Sequence, residues 1–341
     1  MRNYSKLLNL IKCLDCNNEL KFFDQNFICT KCENVYPIIN GIPRFVDKKF
    51  YKLNDDNSNI ENKTKNYFGY EWDYFKRWGF IDDNLINKYN GEYSGGTVND
   101  RKKAFKYKCR LDSSELNDKI VLDCGCGNGR FTYEARLKGN YNSLIIGLDI
   151  GYGSVKSAYE NTREFDNILI IQCSLFNLPF KDNVIDSAFS NGVLMHTGNA
   201  QKVFNEISRT IKRNGVFVAH LYGKLNPIWE FNDYWIRKIT TKLSIEKGIK
   251  LAKILAKLSR VINKFPRGFD IANLFFRIQP SVHHMFDWYC APIATHHTYI
   301  ELSNWYKKNN FKILDNLYDK KQQQKNFFKR PWAINLKGKK K

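Results

Sequence analysis

The stretch Val121–Phe131, VLDCGCGNGRF, places three glycines on alternate positions directly after a short apolar run. Read outward, KIVLDCGCGNGRFTYEARLKG predicts a buried strand over Ile120–Asp123, a glycine turn and a helix that begins near Arg130. Gly125, Gly127 and Gly129 remove the Cβ atoms that would keep a ligand from the backbone at the carboxyl end of that strand. Glycines alone are a weak signal, and this GxGxG spacing departs from the GxGxxG fingerprint of dinucleotide-binding folds. One βα unit downstream, SLIIGLDI ends an apolar run on Asp149. A carboxylate at the tip of the second strand accepts hydrogen bonds from both hydroxyls of a ribose, so the pair says more than either half.

Taken in order, VLDCGCGNGRF, GLDI, NLPF and SNGVLMHTGN resemble the class I S-adenosylmethionine-dependent methyltransferases, from about Asp118 to Tyr222. The resemblance implies an α/β, Rossmann-like fold with a seven-stranded sheet, and S-adenosylmethionine as cofactor. It implies that Asp123, Gly125 and Gly127 surround the methionine part of the cofactor, that Asp149 holds the ribose and that Ile150 flanks the adenine. Ser174 stands where relatives usually carry an acidic residue toward the adenine amino group, and a serine oxygen accepts the same bond. VIDSAFSNGVLMHTGN supplies the fourth strand, with Asn191 and Gly192 at its tip near the sulfonium, and Met195 and His196 where many relatives have two histidines. An ordinary doubly wound domain for a nicotinamide or flavin, and a methyltransferase fold kept only as a scaffold, are the alternatives.

Nearer the N-terminus, Cys13, Cys16, Cys29 and Cys32 form two CxxC pairs about a dozen residues apart. Each CxxC turn presents two thiolates to one ion, and the strand-like ELKFF and FICT between them bring the pairs together, which is the layout of a zinc ribbon. Four thiolates leave no open position on a tetrahedral Zn(2+), so the expected site is structural. The following NVYPIINGIPRFV resembles the tail of the small zinc-ribbon subunit that activates several methyltransferases, and similar ribbons fused ahead of bacterial ones, over about fifty residues. That resemblance implies a ribbon that supports a neighbouring domain or touches substrate.

These motifs divide the chain into a zinc ribbon (1–47), a linker and aromatic helical lid (48–115), a methyltransferase core (116–223), an inserted helical cap (224–284) and an acceptor-site segment with the last two strands (285–341). Lys48 to about Asn66 is polar and reads as linker. FGYEWDYFKRWGF, Phe68–Phe80, reads as a short helix packed over a cleft or the core. In the cap, IKLAKILAKLSRVINKF sets apolar residues at 251, 254, 255, 258, 261, 262 and 265, with lysines and Arg260 on other faces. That pattern is a basic amphipathic helix, expected to pack on the core and also suited to anionic lipid or RNA. HHMFDWYCAPIATHHTYIELSNWYKKNNFKIL gathers four of the six histidines. A second metal site from His283, His284, Asp287, His296 and His297 matches no familiar ligand spacing. The order D-x-Y-x-x-P, HT and WY resembles the C-terminal part of ribbon-bearing methyltransferases that act on small or glycan-linked substrates, which implies that Asp287, Tyr289 and His297 line the acceptor pocket. FKILDNLYD and WAINLKG read as a closing antiparallel pair, followed by a frayed GKKK tail.

Methyl transfer from a sulfonium needs alignment more than a triad, but a hydroxyl or carbon-acid acceptor calls for a base, for which His196, Tyr222, Asp287 and His297 are the candidates. The long cap favours a small-molecule, sugar or lipid-linked acceptor. An rRNA or tRNA acceptor is the alternative, consistent with a formal charge of +21, and a non-catalytic zinc-ribbon scaffold is a third reading. No Asn-Pro-Pro-Tyr element follows the fourth strand. The N-terminus does not resemble a signal peptide and no window is apolar enough for a transmembrane segment. With nine cysteines, an odd number, this predicts reduced thiols in the cytoplasm, with peripheral membrane contact left open.

Overall fold

The chain begins with short strands, β1 (Leu20–Phe23), β2 (Asn26–Cys29), β3 (Val35–Ile39) and β4 (Ile42–Phe45), each antiparallel to the next. Helix α1 (Ile60–Tyr74), α2 (Val98–Ala104), a π-helical turn over Phe105–Cys109 and α3 (Ser113–Leu116) lead into the core. There β5 (Ile120–Cys124), α4 (Arg130–Lys138), β6 (Leu144–Asp149), α5 (Tyr152–Asn161) and β7 (Ile168–Cys173) are followed by β8 (Ile185–Asn191), α6 (Ala200–Thr210) and β9 (Ile211–Tyr222). Beyond them come α7 (Pro227–Thr240), α8 (Ile245–Ile262), α9 (Gly268–Phe275), α10 (Val282–Cys290), α11 (Tyr299–Lys308), β10 (Phe311–Asn316) and β11 (Ala333–Lys340). The structure is a computed structural model and describes residues 4–52, 60–85, 95–316 and 332–341.

The cores of β6 and β7 are buried residue after residue, as strands covered by helices on both faces must be. Parallel pairing joins β7, β6, β5, β8 and β9 in that order, and β11 runs antiparallel between β9 and β10. Strand order reverses direction between β5 and β8, so the loops after these two strands open the crevice where α/β sheets hold ligands.

The expected seven strands are present, but among the described residues the sheet does not stop there: β4 pairs parallel with β7 and carries β3, β2 and β1 outward, giving eleven strands. The reason is a buried seam. Arg44 is 1% exposed and donates to Gln172 Oε1 at 2.7 Å, while Gln172 Nε2 donates to the carbonyls of Phe50 and Ile150. Tyr36 and Phe27 pack on Phe45, with ring centroids 4.6 and 5.9 Å away.

Four further expectations change. The polar stretch to Asn66 is not all linker, because α1 starts at Ile60; residues 53–59 lie outside the described residues. Helix α1 instead docks on α5 with backbones so close that a Cβ on Gly153 would lie 2.0 Å from the Gly69 carbonyl oxygen. The GKKK tail is not frayed: β11 runs to Lys340, whose ammonium donates to Ser208 and Ile211 carbonyls. Most consequentially, α8 packs on α10 through Gly248, Ala252, Ala256 and Ser259, leaving Ile254, Leu258, Val261 and Phe265 exposed. Small side chains permit the close crossing; a Cβ on Gly248 would come within 3.0 Å of Cys290 Sγ. The expected boundary at residue 284 falls inside α10.

Candidate active site

A cavity of about 450 Å³ opens at the carboxyl ends of the central strands. Four strand tips contribute to one flank: Gly125 after β5, Asp149 and Ile150 at β6, Ser174 after β7, and Asn191 with Gly192 at β8. Asp149 accepts from Gly127 N–H at 3.0 Å and Gly151 N–H at 2.9 Å, so the glycine turn itself aims the carboxylate. Burial raises the Asp149 pKa, and these N–H groups work the other way. Gly125 has φ of 87° and would drive a Cβ into Val193, 2.3 Å away; Gly192, φ 72°, faces open space. Asn191 Oδ1 is buried in the cavity wall and has no hydrogen-bond partner among the described residues.

Two expected residues lie off the lining. Asp123 is buried beneath the turn, accepting from Thr132 Oγ1 at 2.7 Å, with its pKa pushed up to about 7 chiefly by desolvation. Gly127 is covered by Trp72 of α1, whose indole would be 2.7 Å from an added Cβ.

On the opposite flank, His196, Tyr222 and Asp287 meet. Tyr222 donates to Asp287 Oδ2 at 2.6 Å, and Asp287 Oδ1 is 3.9 Å from His196 Nε2. His196 Nδ1 lies 2.6 Å from the Ile293 carbonyl, so it carries the proton and leaves Nε2 unprotonated. Burial lowers the His196 pKa against the pull of Asp287, and burial with Asp287 raises that of Tyr222. The triad is therefore a neutral imidazole, a protonated phenol and a carboxyl group sharing one wall.

His297 is elsewhere, bonded to Thr295 Oγ1 at 2.8 Å and packed edge-on against Trp305. Tyr289 is also off the cavity, its hydroxyl donating to the Arg277 carbonyl. His296 is taken by Glu230 at 2.8 Å, so the five-residue metal site does not assemble. Among the described residues, the group placed to hold a metal is Cys13, Cys16, Cys29 and Cys32, whose Sγ atoms all lie within 4.8 Å of one another. The two turns are alike: Cys13 N–H donates to Asn18 and Cys29 N–H to Asn34, each at 2.9 Å, and Asn17 and Glu33 both turn left-handed, φ 59°.

Trp72 on α1 belongs to the aromatic stretch expected over a cleft or the core, whereas the sequence reading missed other lining residues: Lys108 on the π-helical turn, Arg130 at the start of α4, Arg277, and Trp332. Only Arg130, adjoining the glycine turn, carried a local signal. His283 and His284 line the cavity as well, but as neutral rings, with burial forcing both pKa values well down. His283 Nε2 sits 3.5 Å from Glu71 Oε1, and Glu71 is fully buried with a pKa raised far above the carboxylate range by desolvation.

Residues 116–263 match a family described as a methyltransferase domain. An uncharacterized protein of Methanocaldococcus jannaschii is 36% identical over 121 residues, 35% of this chain and 48% of that protein. A tRNA U34 carboxymethyltransferase of Ruthia magnifica is 30% identical over 107 residues, 30% of this chain and 32% of that one. A malonyl-[acyl-carrier protein] O-methyltransferase of Legionella pneumophila is 26% identical over 114 residues, 33% of this chain and 40% of that protein. The chain thus spans less than half the length of these curated relatives. Sheet order, the glycine turn with its paired Asp149, and the family match agree: residues 116–263 of this chain form a methyltransferase domain.

Proposed function

We propose that the chain transfers a methyl group from S-adenosylmethionine to a small-molecule, sugar or lipid-linked acceptor. The observation that carries this is the cavity: the strand tips form one flank, and α1, α10 and the segment at Trp332 wall the other into a chamber of small-ligand size. The residues present fit the cofactor. Asp149 would hold its ribose, Ile150 and Ser174 its adenine, and the orphaned Asn191 oxygen and the space over Gly192 its methionine end, beside Gly125. Asp123 and Gly127 support the turn from behind.

When bound, the sulfonium supplies an activated methyl group; the chain supplies alignment and proton handling. His196 Nε2 takes the proton of an acceptor hydroxyl, while Asp287, fixed by Tyr222, stabilises the imidazolium that forms. Tyr222 and Asp287 are positioned for this role; His297, turned toward Thr295, is not.

Zn(2+) suits the four cysteines. A Zn–S distance of about 2.3 Å sets tetrahedral sulfurs about 3.8 Å apart, and the contacts here are 3.4–3.5 Å. Such an ion would lock both CxxC turns and hold β4 against the sheet. None of the nine cysteines is in a disulfide, which suits a reducing, cytoplasmic setting; among the described residues no helix is long and apolar enough to cross a membrane.

Calorimetry with S-adenosylmethionine and S-adenosylhomocysteine tests the reading: micromolar binding is expected, and no heat with either removes it. Metal analysis should find one zinc per chain; none in carefully purified protein removes the ribbon. A tRNA acceptor is the second reading, favoured by the charge and by the Ruthia magnifica relative. Salt-dependent binding to bulk tRNA would support it.

A further inference from the structure

Four cations line the cavity; Lys65 is stacked on Phe50, and the other three, Lys108, Arg130 and Arg277, make no ion pair or side-chain hydrogen bond among the described residues. Arg277 packs in the corner made by the rings of Trp288 and Trp332, which stand 83° to each other, at 4.4 and 4.7 Å from their centres, with its Nε buried and unpartnered among the described residues. Arg130 is stacked over Trp72 and Phe131 beside the glycine turn. Burial is the largest cause depressing all three, and Arg130 and Arg277 also bring the Lys108 pKa down, to about 8, so the charges sense one another. The carboxyl groups nearby are committed: Asp149 to backbone N–H groups, Asp287 to Tyr222, and Glu71 to its protonated form. The donor does not balance them, because its one carboxylate is outweighed by an ammonium and a sulfonium. Arg130, at the glycine turn, is placed for that carboxylate.

Resting on the methyl-transfer reading, we infer that the acceptor carries an anionic group, a phosphate or a carboxylate, held between Lys108 and Arg277. The two indoles, 83° to each other, seat the guanidinium in the corner they form at the cavity wall with Nε unpartnered among the described residues, while Lys108 adds a point charge from the π-helical turn.

The test is titration of inorganic phosphate, and separately acetate, into the full chain saturated with S-adenosylhomocysteine. At least one anion should bind in the millimolar range, and whichever binds tighter identifies the group. Lys108→Met and Arg277→Met should each weaken it at least tenfold, with S-adenosylhomocysteine affinity and thermal melt close to wild type; Arg277→Lys should lose less. Binding should also weaken above pH 8 as Lys108 loses its proton. Neither anion bound, or equal binding in both variants, overturns the assignment. Should wild type refuse S-adenosylhomocysteine, the donor reading fails, and the same titrations on that protein still judge the cation pair.

The outside of the cap carries a second inference independently. On α7, Ile228, Phe231, Trp235 and Ile239 form one stripe; on α8 and the turn after it, Ile254, Leu258, Val261 and Phe265 form another; all are 46–69% exposed. The buried faces of both helices pack on α10, so both stripes look outward, and α9, touching both, adds Ile271 and Phe275. Around them stand eight exposed lysines and arginines, including Lys238, Lys242, Lys250 and Lys257, against two exposed acids, Glu246 and Asp270. Glu230 and Asp233 are turned inward to His296 and Trp288.

The geometry points to a face that rests on an anionic lipid bilayer. Aliphatic and aromatic stripes would enter the headgroup boundary while the basic rim meets lipid phosphates. A second copy would oppose one basic rim to another, and RNA has no use for the aliphatic stripes. The full chain should co-sediment with vesicles containing phosphatidylglycerol and far less with pure phosphatidylcholine. Trp235→Ser with Leu258→Ser should cut this at least tenfold with an unchanged melt, and Lys250→Glu with Lys257→Glu should do the same. No partition at low salt, equal partition to neutral vesicles, or loss in these variants of self-association or RNA binding instead, overturns it.

Discussion

On the donor flank of the cavity, Asp149 is gripped by two backbone N–H groups from its own βα units; on the acceptor flank, Glu71, His283 and Arg277 keep buried polar atoms that make no hydrogen bond among the described residues. The first arrangement is made by neighbours in sequence and is complete before any ligand arrives. The second is assembled from α1, the π-helical turn, α10 and the approach to β11, and its electrostatics make sense only with something between them. Preorganised dipoles cost little when a ligand binds, whereas unpaired buried charge costs stability until one does.

The largest expected effect breaks the donor side of this contrast. Asp149→Ala removes two charge-assisted bonds to ribose, about 1.5 kcal/mol each, or about 100-fold in S-adenosylhomocysteine affinity by calorimetry; affinity near wild type would mean the flank is not the donor site. Next comes the wall both flanks share. Gly153→Ala pushes a methyl group into the Gly69 carbonyl and should lower stability in urea by about 1–3 kcal/mol, and an unchanged midpoint would show that α1 does not dock there.

Acid should then act on the acceptor side first. His196, His220, His283 and His284 all have pKa values lowered by burial. The unfolded chain therefore binds more protons below its own histidine pKa, near 6.5, and the stabilisation present above that pH is lost as it falls. The slope is at most about 1.4 kcal/mol per pH unit for each histidine. Urea midpoints flat from pH 7.5 to 5.5 would show these rings are not buried neutral. The smallest effect is the sharpest: Glu71→Gln mimics a protonated carboxyl, and should shift stability by about 0.5 kcal/mol or less. A loss of about 3–5 kcal/mol would mean an ionised pair with His283.

The same contrast explains what was legible in the sequence. The glycine turn, Asp149, Asn191 and both CxxC pairs are local patterns tied to strand tips and turns, and their residues come together in the structure. His196, Tyr222 and Asp287 could be named singly, but their convergence depends on how α10 crosses β9. Lys108, Arg277 and Trp332 had no periodicity or motif to mark them. The outward stripe of α8 was misread because hydrophobicity ordinarily signals burial, whereas here the close crossing with α10 selects glycine and alanine. His297 was read into the pocket by likeness, and its hydrogen bond to Thr295 takes it away.

The parallel pairing of β4 with β7 also has a bearing on solubility. Without residues 1–59, the backbone N–H and C=O groups of β7 near Gln172 and Cys173 would face solvent, on a strand whose side chains are apolar almost throughout. Such an unprotected border is a template for strand addition between molecules. The cysteine module therefore acts as a plug against aggregation for the catalytic sheet, and a chain trimmed at α1 should precipitate even though every residue lining the cavity is retained.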